Sequence, residues 1–398
     1  MELNSSLNKR TRRILLVIYG CDIFKIDSGG ALRNTLFAKA LSEIGHVDVI
    51  CFSRDDAVSN IPNCNILFSR RMYEHNNLID SVRTLIDPFF CPSSPSSYYK
   101  VSKKKSAIVS DFVKRGKYDI IASRYVESSI ECGLLKYKDK LVIDADDNPA
   151  SVLRYKAVQA NSIIEKWKKR YQSKRVGQMT EKFLDSVRCS FYSNPLEKPS
   201  KLSVFLHNTT TMTQSAPDIT EDFCPRILFV GSLYFFPNKQ GITHFAELIF
   251  PQIKRAFPLV ELYIVGKGDS DFLAYLNGME GVKAVGRVDD LASEYQKATV
   301  VVIPIYYGSG TSVKFVEAML MNRPVISSPI GARGFNDLCQ DGVHYMLANN
   351  NEEFVIKTIG LLSSIQKSKE IAKHGCEIAN KHFSQKRFIE IVKENILK

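Results

Sequence analysis

The stretch Val301–Gly334, VVIPIYYGSGTSVKFVEAMLMNRPVISSPIGARG, decides the architecture. It starts as an unbroken β-branched run ending at Pro304, the pattern of a strand covered on both faces. Gly308-Ser309-Gly310-Thr311 supplies a flexible turn. A helix then begins near Ser312, with Val313, Phe315, Val316, Ala318 and Met319 among its apolar positions. A second apolar strand, Pro324–Ser327, follows at once, so the stretch reads as a βαβ piece of a parallel sheet. Lys314 sits in the first helical turn, where it opposes the macrodipole. An anion at that helix end would explain it, held by loop N–H groups, the dipole and the ammonium together. Glu317, three residues on, lies on nearly the same face and can accept two hydroxyls of a ribose. The plainer alternative is a solvated lysine beside a surface glutamate, against which the apolar neighbours argue.

Outward from this piece the same alternation runs the length of the chain. Strands are expected at Ile14–Tyr19, Val47–Phe52, Ile66–Ser69, Asp119–Ala122, Leu141–Asp144, Cys189–Ser193 and Ser203–Leu206. A second series follows at Arg226–Val230, Glu261–Val265, Val282–Val285, Thr299–Ile303 and Pro324–Ser327. The basic start before Ile14–Tyr19 imitates a signal peptide, but the short run broken by Gly20 and Asp22 reads better as a first buried strand. The polar, Thr-rich Asn208–Pro225 separates the two series, and Glu352–Lys398 reads as helical throughout. The fold class is therefore α/β, with two doubly wound Rossmann-like domains. A chain of 398 residues is long enough for both cores.

The net charge of +12 is unevenly placed. Residues 1–208 carry 34 Lys/Arg against 22 Asp/Glu, whereas residues 209–398 carry 20 of each. Any anionic partner is therefore expected at the first half. Two segments there exceed a bare sheet-and-helix unit: Ile86–Lys105, with aromatics and a lysine run, and the long basic helix Ser162–Arg188. Lys103, Lys104, Lys105, Lys166, Lys168, Lys169, Arg170, Lys174 and Arg175 are candidates for an anionic membrane surface or a phosphate-bearing lipid-linked glycan. No nucleic-acid reader motif is present, so nucleic acid is not an expected partner. Nine scattered cysteines, without a CxxC pair or zinc spacing, suit reduced thiols in the cytoplasm.

Beyond the paired glycines of Ser28-Gly29-Gly30, which open a helix carrying Arg33, the motifs form an ordered series. Phe229-Val230-Gly231-Ser232, Pro237–Ile242, Ile264-Val265-Gly266 and Val285–Asp290 precede Gly308–Ala318, Asn322–Val325 and Pro329–Gly334. In this order they resemble the donor domain of GT-B glycosyltransferases, most nearly the retaining glycosyltransferase family 4 (glycosyl transferases group 1). Gly29, Gly30 and Arg33 are similar to that family's N-terminal glycine loop, and His207-Asn208 to its end-of-domain signature. The resemblance implies two domains facing a cleft, with a C-terminal helix returning to the first. On that plan residues 1–208 bind the acceptor, 209–225 form a linker, 226–382 bind the nucleotide-sugar and 383–398 form the returning helix.

Carried over, the resemblance implies that Lys314 and the Gly310, Thr311, Ser312 and Val313 backbone hold the donor diphosphate. Glu317 would hold the ribose, and Arg287 and Val288 would border the base. Gly29 and Gly30 would close on the phosphates and sugar. Ser232 stands where many members carry Arg, with Lys314 and Lys239 as replacement cations, and Ser309 stands where many carry Glu. Arg33, Arg124 and Tyr125 are acceptor-side candidates. In Asp144-Ala145-Asp146-Asp147-Asn148-Pro149, Asp146 and Asp147 are candidates for sugar binding or catalysis, or simply cap the next helix. The implied reaction moves a sugar from a nucleotide-sugar to a hydroxyl of a glycan or lipid-linked acceptor, with retention and without metal or other cofactor. Its setting would be cell-surface polysaccharide or lipopolysaccharide biosynthesis, in the cytoplasm at the inner membrane face. A nucleotide-sugar 2-epimerase and a non-catalytic sugar-nucleotide-binding homologue share the fold and are the alternatives.

Overall fold

The computed structural model describes residues 12–20, 22–25, 28–72, 94–158, 160, 162–212, 224–308 and 310–398. Ser309, residues 86–93 of the aromatic stretch, and residues 213–223 of the expected linker lie outside them. The chain forms two units: residues 1–206 with 388–398, and residues 207–387.

In the first unit, strands β1 (Arg12–Ile18), β2 (Gly45–Cys51), β3 (Cys64–Ser69), β4 (Ile120–Arg124), β5 (Leu141–Asp146), β6 (Cys189–Tyr192) and β7 (Val204–Phe205) form a sheet in the order β3-β2-β1-β4-β5-β6-β7. Every pairing is parallel. Ile14–Ile18 are all buried, as continuous apolar strands covered on both faces must be. Five helices matter for the site: α1 (Gly29–Ser42), α2 (Lys103–Gly116), α3 (Val126–Glu131), α4 (Pro149–Val158) and α5 (Ile163–Asp185). Ser162 caps α5 by accepting from the Glu165 amide, a Ser-x-x-Glu start.

The second unit repeats the design with β8 (Arg226–Val230), β9 (Glu261–Val265), β10 (Val282–Gly286), β11 (Val300–Ile303), β12 (Val325–Ser327) and β13 (Met346–Leu347). Their order is β10-β9-β8-β11-β12-β13, again parallel. Its helices are α6 (Phe236–His244), α7 (Phe250–Ala256), α8 (Ser270–Asn277), α9 (Leu291–Gln296), α10 (Val313–Leu320), α11 (Asn351–Ser363) and α12 (Ile365–His382). The last helix, α13 (Gln385–Ile396), returns to the first unit from Phe388 onward. There Lys393 pairs with Glu43 at 3.1 Å, and Arg188 donates to the Ile396 carbonyl at 3.1 Å.

In each sheet the strand order reverses beside one central strand, between β1 and β4 and between β8 and β11. Ligand sites of open parallel sheets form at the carboxyl ends of those strands. The helical end expected as one stretch is three helices, broken near Ser364 and Ser384. The division between the units falls at 206/207, two residues before the expected end of the first domain. Thr209 and Thr210 are buried within the second unit.

Two loops of charge at two sheet edges

At the β8/β11 reversal the second unit brings together Gly231, Lys314 and the turn before α10. β8 ends at Val230 and passes through Gly231 to α6, while β11 passes through Pro304 and the Gly308 turn to α10. A Cβ on Gly231 would stand 2.7 Å from Asn238 Nδ2 and 3.0 Å from Lys314 Nζ, so only glycine leaves room for this approach. Gly241 plays the same part for α6, where a Cβ would fall 1.9 Å from the Pro304 carbonyl.

Lys314 Nζ donates to Asn238 Oδ1 at 2.6 Å and lies 4.9 Å from the Phe229 ring centroid. No carboxylate stands within ion-pair distance of it among the described residues. Burial therefore pulls its pKa down to about 8, only partly offset by Glu317. Glu317 is buried and accepts from the Tyr295 hydroxyl at 2.9 Å. Burial raises its pKa against the opposing pull of the Tyr295 bond, Lys314 and Thr210. A carboxylate has about four acceptor sites, so these partners orient Glu317 without exhausting it.

The turn before α10 is held from two sides. Asn208 donates to Thr311 Oγ1 at 2.7 Å, and Arg333 donates to the Gly308 carbonyl at 3.0 Å. Ser312 is the α10 N-cap residue, but its side chain makes no capping bond, so the first-turn amides are not closed by it. Ser232 is exposed, and its carbonyl accepts from Asn238 at 2.9 Å. Lys239 lies over the Phe272 ring at 4.3 Å rather than beside Lys314. Arg287 is exposed and Val288 half-buried just past β10. Sequence reasoning assigned no role to Asn238, Tyr295, Thr210 or Arg333. Asn238 and Arg333 had a signal, since they lie within Pro237–Ile242 and Pro329–Gly334.

The corresponding edge of the first unit holds a closed ionic lattice. Arg33 grips Asp144 through two bonds, Nε–Oδ2 at 2.7 Å and Nη2–Oδ1 at 2.8 Å, and donates to the Leu206 carbonyl at 3.0 Å. Arg124 donates to the Gly30 carbonyl at 2.6 Å, to Asn34 at 2.9 Å and to Asp146. Its guanidinium also lies 4.4 Å from the Tyr125 ring centroid. Arg33, Arg124 and Asp144 are buried. The two arginines expected to meet an acceptor are thus interior groups that hold the glycine turn and the strand ends.

Tyr125 and Asp146 adopt left-handed φ of 62° and 57° at the ends of β4 and β5, a strained state for such residues. Burial pushes the Asp146 carboxyl up, but Arg124 and Arg33 pull harder and leave it below its ordinary value. For Asp147, burial and the Asp146 charge outweigh the pull of Arg33 and Arg124 and drive it up to about 7. The oxygens of Asp144 and Asp146 are spent on guanidinium groups, not arranged around an open position. No group of three or more His, Cys, Asp or Glu among the described residues has metal-site geometry.

Of the proposed membrane cations, Lys105 is a correction. It is buried, paired with Glu131 at 2.6 Å and stacked 3.5 Å from the Tyr19 ring centroid. Lys103 and Lys104 remain exposed on the first turn of α2, as do Lys166, Lys168, Arg170 and Lys174 on α5. Lys169 and Arg175 are half-buried. No described helix is long and apolar enough to cross a membrane.

Three likenesses bear on this geometry. A protein of the cps region of Klebsiella pneumoniae is 23% identical over 415 residues, covering 96% of this chain and all of the relative. The solved sucrose-phosphate synthase of Thermosynechococcus elongatus superposes with a TM-score of 0.67 at 17% identity, over 96% of this chain and 98% of that one. Anabaena Alr3699/HepE, solved in complex with UDP-glucose, superposes at 0.61 with 15% identity, over 97% and 99%. Residues 224–364 match the family model of glycosyl transferases group 1, a span that contains Gly231, Asn238, Lys314 and Glu317. Over that domain the chain is similar to the glycosyl transferases group 1, and the enzyme is a glycosyltransferase.

Proposed function

We propose that the enzyme transfers a sugar from a nucleotide-sugar to a hydroxyl of a glycan or lipid-linked acceptor, with retention, in cell-surface polysaccharide or lipopolysaccharide synthesis. The observation that carries the donor half is Lys314: a cation at a helix start, at the sheet's reversal point, with no carboxylate partner among the described residues. A diphosphate would supply the missing anion and meet the Gly310–Val313 backbone and the α10 dipole at the same place. Glu317, held by Tyr295, would accept the ribose hydroxyls, with Arg287 and Val288 beside the base. The HepE complex with UDP-glucose supports a nucleotide-sugar as donor, and the cps-region relative supports the polysaccharide setting.

In the reaction the bond from the anomeric carbon to the diphosphate oxygen breaks, and a bond from that carbon to the acceptor oxygen forms. The acceptor proton passes to the departing phosphate oxygen. Negative charge therefore grows on the diphosphate, and a preorganised ammonium and amide dipoles stabilise it without reorganisation. Lys314 and the α10 N-terminus supply both, and the scheme requires no metal. The acceptor half rests on the surplus of positive charge in the first unit. Exposed Ile163, Ile164 and Trp167 beside Lys166 and Lys168 at the start of α5 support contact with an anionic membrane surface.

The donor reading is tested by titrating a panel of nucleotide-sugars and nucleoside diphosphates into wild type and Lys314→Ala. Binding of one donor by wild type, weakened at least about tenfold in the variant, is expected. Equal binding by both proteins would overturn the assignment.

A further inference from the structure

The first unit contains a groove of about 920 Å³ between α4, α5 and the turn at Leu196–Lys201. That volume lies in the range of small-ligand sites, roughly 300–1,000 Å³. Its floor is made of small residues, Ala150, Ser173 and Gly177, which let the two helices close up. Gly177 is tight against α4, since a Cβ there would meet the Ala150 Cβ at 3.3 Å. Its walls carry five cations, Arg154, Arg170, Lys174, Lys198 and Lys201. Only Glu181 and Glu197 oppose them.

None of the five cations forms an ion pair among the described residues. Arg154 donates only to Ser151 Oγ, at 2.6 Å, one turn back on its own helix. On the same helix Lys169, which does not line the groove, pairs with Glu165 at 3.3 Å. Five cations without an ion-pair partner among the described residues thus line one concavity. A neutral glycan gives no reason for such convergence; a phosphate does, because Arg binds it as a fork and Lys as a point charge. Asn148 and Glu197 also line the groove. Asn148 follows Asp147, and Glu197 is close enough to Asp147 to raise its pKa. An anion in the groove would therefore anchor a ligand whose other end reaches the β5 edge.

We infer that this groove binds the phosphate or pyrophosphate group of the sugar acceptor. The inference deepens the acceptor half of the proposed function and rests on it. The anion has two sources, a lipid-borne pyrophosphate or a soluble phosphorylated glycan.

Calorimetry with inorganic pyrophosphate and with farnesyl diphosphate tests this on the full chain. Three proteins are compared: wild type, Lys314→Ala, and Arg154→Ala/Lys174→Ala/Lys198→Ala, whose changes fall on exposed side chains. Wild type should bind two pyrophosphates, one lost at least about tenfold in affinity in the triple variant and the other in Lys314→Ala. Tighter binding of farnesyl diphosphate at the groove assigns the lipid-borne source, and equal binding the soluble one. If Lys314→Ala alone loses binding and the triple variant matches wild type, the groove is overturned while the donor site stands. Loss in the triple variant alone would leave the groove standing and remove the donor reading. Absence of any binding overturns the groove as well.

Discussion

The two sheet edges solve opposite electrostatic problems with the same topology. In the first unit, Arg33, Arg124, Asp144 and Asp146 neutralise one another inside the protein, each held by at least one charge-assisted bond. In the second unit, Lys314 has an amide oxygen where an arginine lattice would have carboxylates. A cation already paired in the folded state has little left to offer a ligand. One that is desolvated and unpaired gains its partner only when an anion arrives. The first edge is therefore built as a rigid frame, and the proposed function makes the second a poised site.

The frame should fail structurally. Arg124→Met strands two carboxylates next to one arginine. Breaking a buried pair costs about 3–5 kcal/mol, a fall of roughly 10 °C or more in the melting of the first unit. Calorimetric affinity for a nucleoside diphosphate should stay unchanged. A variant that melts normally but loses donor affinity would erase the distinction between the edges.

The poised site should fail functionally. Lys314→Ala should lower kcat/KM by about 10²–10³, the cost of removing one preorganised donor to developing charge, without lowering Tm. A Tm loss comparable to that of Arg124→Met would mean that Lys314 is structural. Asn238→Ala should have a smaller effect, about fivefold in donor KM, because it removes one bond that aims the ammonium. An unchanged KM would show that the Gly231 pocket alone positions Lys314.

Asp147 gives the smallest and most pH-dependent effect. Its folded pKa of about 7 lies above the ordinary value for Asp, so the folded state binds more protons than the unfolded one between about pH 4 and pH 7. Stability contributed by this group falls as pH rises through that window. Asp147→Asn should therefore raise Tm by a few degrees at about pH 8 and hardly at all at about pH 4. A gain independent of pH would assign the effect to something other than the charge.

How far the sequence was legible follows from the range of each interaction. Buried parallel strands announce themselves as continuous apolar runs, so Arg226–Val230 and Glu261–Val265 coincide with β8 and β9 residue for residue. Strand β13 has only two residues and no run to read. Lys314 and Glu317 were legible as neighbours away from solvent because one helix turn carries both. The Arg33–Asp144 pair spans 111 positions and Asn208–Thr311 spans 103, distances at which spacing says nothing. Lys105 was misread because a lysine run suggests a solvated face. Helical period places it instead with Val109 on the buried side of α2, where Glu131 neutralises it.

The central claim is that Lys314 meets the donor diphosphate as a lone, desolvated ammonium. The most direct measurement is nucleoside diphosphate affinity from about pH 7 to about pH 10, on wild type and Lys314→Met. Wild-type affinity should fall by up to about tenfold per pH unit once pH exceeds the lysine's pKa of about 8, while the variant stays weak and flat. Parallel profiles for the two proteins would contradict the claim.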